Sequence, residues 1–248
     1  MLCIAADLHC HTNVSHHAFN TITEMAAYAK KMGLDAIAVT NHAPRMPDGA
    51  HPWHFWNLVR LPVRLEGTYV LKGAEANLLD IEGTLDLSAQ EQAMLDWLIV
   101  SIHTDIIPSL TFEQATDAWL KVSENPYVDM IGHPEQQAHL FDYDRVTKAF
   151  AQRHKVVELN ANSVVVRPGS EKNLMELALA CKKNGVHIAV NSDAHSVYQL
   201  GKVEPVLAML EKIEFPAENI VNGSIENLKK ELRLHQKTYA EHLRGEDI

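Results

Sequence analysis

The chain alternates short apolar runs with longer stretches of helical period. The runs "LCIAA" (2–6), "AIAVT" (36–40), "YVLKG" (69–73), "LIVSI" (98–102), "VDMIG" (128–132), "VVELN" (156–160) and "HIAVN" (187–191) are each five residues long and rich in β-branched side chains. Runs of this kind between helices predict parallel strands covered on both faces. Among the intervening segments, Thr21-x-x-Glu24, Ser88-x-x-Glu91 and Thr111-x-x-Gln114 have capping-box spacing, with stops at Gly33 and before Pro126. Ser170 is placed to cap a helix that stops near Gly185, and 204–213 reads as another. Strand–helix alternation repeated about seven times predicts an α/β fold, either a parallel barrel or a doubly wound sheet, in one domain spanning 1–248.

Two segments depart from the rhythm. Residues 41–67 form an insertion far longer than an ordinary βα loop, which predicts a lid or binding loop. After Ile213 only a weak apolar run at Ile220 and Val221 precedes a helix from about Ser224, so seven strands are expected and an eighth is doubtful. The charged stretch 229–248 reads as a solvated helix and tail, the tail from about 235.

Composition narrows the function. The chain is 46% hydrophobic, yet no window approaches the roughly 18 uninterrupted apolar residues of a membrane span, and Met1 runs into the first motif without a leader-like segment. Cys3, Cys10 and Cys181 show no CxxC spacing, so no disulfide framework or thiolate zinc site is suggested. A cytoplasmic protein without membrane partners is expected. The net charge of −10 argues against a general nucleic-acid binder, but bound metal would reverse the local field for a small anionic substrate.

The candidate chemistry sits at the carboxyl ends of the predicted strands. In order these ends offer Asp7, His9 and His11; Asn41 and His42; Glu75 and Asn77; His103 and Asp105; His133; and Asp193 and His195. Six of the seven deliver a histidine or carboxylate where barrel active sites are built, a coincidence that scattered histidines do not produce. Imidazole is the commonest metal ligand, and a carboxylate can bridge two ions. On an extended segment His9 and His11 share a side and Cys10 turns to the wall. Asp7, counted by the same alternation, shares the facing of the pair and would orient a ligand. Taken singly, each residue has a plainer explanation, Glu75 as a salt-bridge partner or Asp193 as a helix cap. His139, His154, His187, His235 and His242 read as surface or packing residues.

The ordered set "DLHCHT" (7–12), "TNHAP" (40–44), "KGAEAN" (72–77), "SIHTD" (101–105), "GHPE" (132–135) and "NSDAH" (191–195) resembles the PHP family, the polymerase and histidinol phosphatase domain. "HPWHF" (51–55) and "ELNANS" (158–163) resemble its small stand-alone phosphatases. The resemblance implies a distorted TIM-like barrel of seven βα units and up to three divalent ions per chain, zinc first, with manganese or iron also accepted. His9, His11, Glu75 and Asp193 would hold one ion; Glu75, His103 and His133 a second; His17, His42 and His195 a third. The family spacing selects His17, with the adjacent His16 as the competing choice.

Three ions and two carboxylates leave roughly +4 to receive a phosphate and a metal-bound hydroxide, so no side-chain nucleophile is required. Glu75 and Asp193 would then serve catalysis by holding the ions. Arg167 is a candidate phosphate anchor because guanidinium matches phosphate oxygens in pairs, an exposed loop arginine being the competing reading. His54 is a candidate substrate contact, and Trp53, Phe55 and Trp56 in the insertion would stack on a sugar or base, or seal the barrel mouth. The expected function is a phosphomonoester phosphatase acting on a small phosphorylated substrate. Competing readings are an amidohydrolase-type metal hydrolase, a nuclease of the same family and a metal-binding module without turnover. The subgroup resemblance also implies a homo-oligomer, with a trimer as its form.

Overall fold

The expected strands form in sequence order. In the computed structural model, which describes residues 1–243, the elements are β1 (Ala6–Cys10), α1 (Ile22–Met32), β2 (Ala36–Val39), α2 (Pro52–Asn57), β3 (Arg64–Leu65), β4 (Thr68–Asn77) and α3 (Ala89–Ala93). They continue with β5 (Trp97–Ser101), α4 (Phe112–Glu124), β6 (Met130–Ile131), α5 (Tyr143–Gln152), β7 (Val156–Asn160) and α6 (Ser163–Val166). Last come α7 (Ser170–Asn184), β8 (Ile188–Asn191), α8 (Glu204–Lys212) and α9 (Ile225–Leu234). Strands β1-β2-β4-β5-β6-β7-β8 pair in parallel in that order, and a bridge between Cys10 and Ala194 brings the edges together into a nearly closed seven-stranded barrel. Among the described residues no helix is long and apolar enough to cross a membrane.

The capping boxes at Thr21, Ser88 and Thr111 all form. Helix α5 starts from a single side-chain cap, Asp142. The expected cap at Ser170 does not: Ser170 is the first helical residue, and Gly169 precedes it in the left-handed region at φ 87°. The expected strand at 2–6 is also displaced, because β1 begins only at Ala6 and itself carries His9. The weak run at Ile220 contributes one parallel bridge to Ile188 instead of an eighth strand.

A bulge in β1 overturns the expected facing of Asp7. Ala6 pairs with Ala36 and Asp7 with Ile37, but the next matched pair is Cys10 with Val39, so β1 spends one residue more than β2. The extra residue flips the alternation. Leu8 packs with Ala38 in the barrel interior, whereas Cys10 packs with Ile37 and Met25 under α1. His9 and His11 therefore face inward, and Asp7 faces the opposite way, where its carboxylate accepts from the Ser192 hydroxyl and from Gly201 N at 3.0 Å.

The C-terminal segment is not a solvated tail. Ile225, Leu228 and Leu232 of α9, with Tyr239 and Leu243, pack against Leu8, Leu71, Trp97 and Met130 and close the barrel floor. His235 is buried with them, its ring nitrogens 3.1 Å from Asp129 and 3.1 Å from Glu231. Residues 244–248 of the expected tail lie outside the described residues. The 41–67 insertion is likewise folded onto the barrel, through buried Phe55 and Leu58 of its helical turns and through β3, which pairs antiparallel with β4.

Candidate metal centre

With the floor filled by apolar side chains, the polar residues of the barrel collect at the other end. All nine expected ligands converge there around a cavity of about 430 Å³. His9 comes from β1, Glu75 from near the carboxyl end of β4, and His11 and the others from the segments that follow the strands. Glu75 is central: one carboxylate oxygen lies 2.9 Å from His133 Nε2 and 3.3 Å from His103 Nε2, the other 2.8 Å from His42 Nδ1. Asp193 lies 3.6 Å from His9 Nε2 and 3.3 Å from His11 Nε2. His17 stacks on His195 and His42, with ring centroids 4.2 and 5.4 Å apart. His16 is exposed.

Most of these rings are held from behind. His9 Nδ1 donates to Glu158 at 2.8 Å, His103 Nδ1 to Asn77 Oδ1 at 2.7 Å, His195 Nδ1 to the Asp193 carbonyl at 2.9 Å and His17 Nδ1 to Asp48 at 2.5 Å. A ring that donates through Nδ1 presents a lone pair at Nε2, the form a metal ligand takes. Buried ring nitrogens without a hydrogen-bond partner among the described residues include His9 Nε2, His11 Nε2 and His195 Nε2, whereas His42 Nδ1 and Glu75 Oε2 meet each other at 2.8 Å. Buried polar atoms are ordinarily satisfied, so such a convergence fits cations. Four groups have ligand atoms within 4.8 Å of one another: His9, His11 and Asp193; His42, Glu75 and His103; His11, His42 and His195; His17, His42 and Asp48.

The electrostatics agree. Burial opposes ionisation of Glu75, but His103, His9 and His42 outweigh it and hold its carboxyl well below the usual range. Burial likewise opposes ionisation of Asp193, and His9, His11 and Arg167 overcome it. His11 is pushed well down by burial and by His42 and His195, and His133 falls to about 4 through burial and Arg167. The ionised carboxylates of Glu75 and Asp193 thus face His11 and His133, which are held toward the neutral form, while Glu75 raises His42 against the lowering effect of its burial. Burial alone would depress His9, yet Glu158, Asp193 and Glu75 raise it well above the ordinary histidine value. Such a site demands positive charge.

Backbone geometry at the strand ends is unusual. His133 and Asp193 take positive φ, 30° and 51°. Strained backbone at non-glycine positions persists where the surroundings enforce it, and it clusters at functional sites. Before His133, a Cβ on Gly132 would stand 2.2 Å from Ser101 Oγ, the hydroxyl that donates to Glu75 at 2.6 Å.

Arg167 is brought to the site. It donates to Ser163 Oγ at 2.8 Å, reaches Asp193 at 3.4 Å and borders the cavity. His54 does not border it; its Nε2 meets Asn41 Nδ2 at 3.3 Å. Trp53 and Phe55 do not border it either: Trp53 is exposed and Phe55 lies in the core. Residue-by-residue reading missed Glu158 and Asp48. Glu158 had a signal, an acid facing inward between Val156 and Asn160 on an otherwise apolar strand; Asp48, in an irregular loop, had none.

The PHP domain profile matches residues 7–162. The chain is similar to a probable phosphatase of Caldicellulosiruptor saccharolyticus, 40% identical over 234 residues, which are 94% of this chain and 98% of that one. A probable phosphatase of Caldanaerobacter subterraneus is 40% identical over 236 residues, covering 94% and 93%. Among solved structures, the histidinol phosphate phosphatase of Lactococcus lactis, complexed with zinc, L-histidinol and phosphate, superposes with a TM-score of 0.58 at 15% identity, covering 85% of this chain and 94% of that one. A chain of an archaeal ribonuclease P, in complex with mature tRNA, reaches a TM-score of 0.57 at 12% identity, covering 96% and 92%. The last two show a shared fold alone.

Proposed function

The chain belongs to the PHP domain family, and from that premise we propose that it is a metal-dependent phosphatase that hydrolyses phosphate monoesters at a centre of three divalent ions. The observation that carries the reading is the convergence of unpartnered imidazole nitrogens on two ionised carboxylates, with Arg167 beside them. His9, His11 and Asp193, with Glu75, would hold the first ion; Glu75, His103 and His133 the second; His17, His42 and His195 the third. Zinc is the proposed ion, as in the L. lactis structure, and manganese or iron fits the same donors. When bound, three divalent ions supply a hydroxide nucleophile at neutral pH and the positive charge that receives the phosphoryl group.

The chain's own residues do the rest. Glu158, Asn77 and Asp48 hold the rings of His9, His103 and His17 through Nδ1, which leaves Nε2 of each to take an ion. Glu75 and Asp193 keep their negative charge despite burial and so serve catalysis as ion holders. Arg167, steadied by Ser163, orients the phosphate through paired N–H donors. His54 would support the site through Asn41, which its Nε2 meets at 3.3 Å. The reading also has the chain work in the cytoplasm, as one domain over 1–248 and as a homo-oligomer, on a small phosphorylated substrate and not on nucleic acid.

The test is bound-metal stoichiometry of the purified protein, followed by hydrolysis of an aryl phosphate, a phosphodiester and an amide. Near three ions per chain with turnover of the monoester is the expected result. Protein that binds no divalent metal, or activity confined to the amide or the diester, overturns the proposal.

A further inference from the structure

Beside the metal cleft lies a second cavity of about 400 Å³, which shares His103, Asp105, His133, Val166 and Arg167 with it. Thr104, Gln136, Gln137, Ala138 and Pro168 complete its wall. The orientation of its two amides follows from their partners. Gln136 meets the Ile102 carbonyl through Nε2 at 2.5 Å, and a carbonyl only accepts, so the free end of Gln136 is its oxygen. Asn173 Nδ2 donates to the Glu135 carbonyl at 2.9 Å, which identifies it as nitrogen; the Gln137 atom 3.1 Å from it is therefore Oε1, and the free end is Nε2. The cavity thus offers a fixed acceptor, a fixed donor, the Thr104 hydroxyl and the Asp105 carboxylate. Ala138, Val166 and Pro168 add apolar surface, and among the described residues no Phe, Tyr or Trp lines it.

Resting on the phosphatase reading, we propose that this cavity receives the alcohol of the substrate, and that the substrates are phosphate monoesters of small polyhydroxylated alcohols, sugars or polyols, rather than nucleotides. Arg167 borders both cavities, so an ester whose phosphate it holds has its phosphoryl group in the metal cleft and its alcohol in the second cavity. Each hydroxyl both donates and accepts, so neighbouring hydroxyls satisfy the Gln136 oxygen, the Gln137 amide and Asp105 together, while C–H faces lie on Val166 and Pro168. A nucleobase has its donors and acceptors fixed on a rigid ring and cannot turn them to the fixed positions of Gln136, Gln137 and Asp105, as freely rotating hydroxyls can, and polar groups left unpaired discriminate strongly. It would also find no aromatic face on which to stack.

The experiment uses the full chain loaded with zinc. kcat and KM are measured for an aryl phosphate, a hexose 6-phosphate, glycerol phosphate and a nucleoside 5′-monophosphate, with wild type, Gln137→Leu and Asp105→Asn. The expected result is a kcat/KM at least about tenfold higher for the sugar and polyol esters than for the nucleotide, roughly what two added hydrogen bonds supply. In Gln137→Leu, whose altered side chain is exposed, KM for the hexose ester rises about fivefold, more than KM for the aryl ester. Aryl phosphate turnover with equal or better use of the nucleotide overturns this inference and leaves the phosphatase reading standing. So does a hexose KM that neither variant moves. Absence of any monoester hydrolysis overturns both.

Discussion

Glu158→Gln replaces one oxygen of a buried carboxylate with an NH₂ group at a place where every neighbour donates. Oε1 accepts from His9 Nδ1 at 2.8 Å and from Asn191 Nδ2 at 3.0 Å; Oε2 accepts from the His133 amide at 2.7 Å and from Asn160 Nδ2 at 3.2 Å. Whichever end becomes NH₂ faces two donors. The cheapest escape is to place it toward His9, whose ring can shift its proton to Nε2 and accept at Nδ1; the bond to Asn191 is then lost. A lost buried hydrogen bond costs about 2 kcal/mol, which lowers Tm by about 4–8 °C in a chain of this size. The shifted proton occupies the nitrogen that faces Asp193, so metal affinity falls about 10–100-fold. Thermal unfolding of chelator-treated protein reads the first effect and calorimetric metal titration the second. A folded variant that binds its tightest ion within threefold of wild type refutes the argument that Glu158 sets the His9 tautomer.

His17→Ala is expected to remove one bound ion per chain and His16→Ala none, because only His17 stacks on His42 and His195; elemental analysis of dialysed protein distinguishes them. The His235 ring is raised to about 9, since Asp129 and Glu231 outweigh the lowering effect of burial. A raised pKa gives stability that is full below the unfolded value of 6.5 and is lost as pH rises through about 9. The contribution, at most about 3 kcal/mol, should appear as a fall in urea-unfolding free energy between pH 6.5 and 9.5 that His235→Gln lacks. Gly132→Ala must move Ser101, whose hydroxyl would lie 2.2 Å from the new methyl. It should cost about 1–3 kcal/mol in denaturant titration and weaken metal binding through the Ser101–Glu75 contact.

Periodicity and end-of-strand chemistry are local properties, and they carry far. Because parallel strands place their carboxyl ends on one rim, the order His9, His42, Glu75, His103, His133, Asp193 along the chain already implies a shared site. The capping boxes at Thr21, Ser88 and Thr111 are equally local, and each forms as the spacing requires. Register and long-range partners are not local. Nothing between Ala6 and Cys10 marks a bulge; it arises only when β1 is matched to β2, and it alone turns Asp7 away from the His9 face. The charged residues of α9 hide an apolar stripe that joins a cluster drawn from all seven barrel strands, so its burial depends on the closed barrel. Glu158 and Asp48 acquire their roles from rings 149 and 31 residues away. The types of residue that can hold metal follow from composition and spacing, whereas which nitrogen each ring presents depends on the partner that folding places behind it.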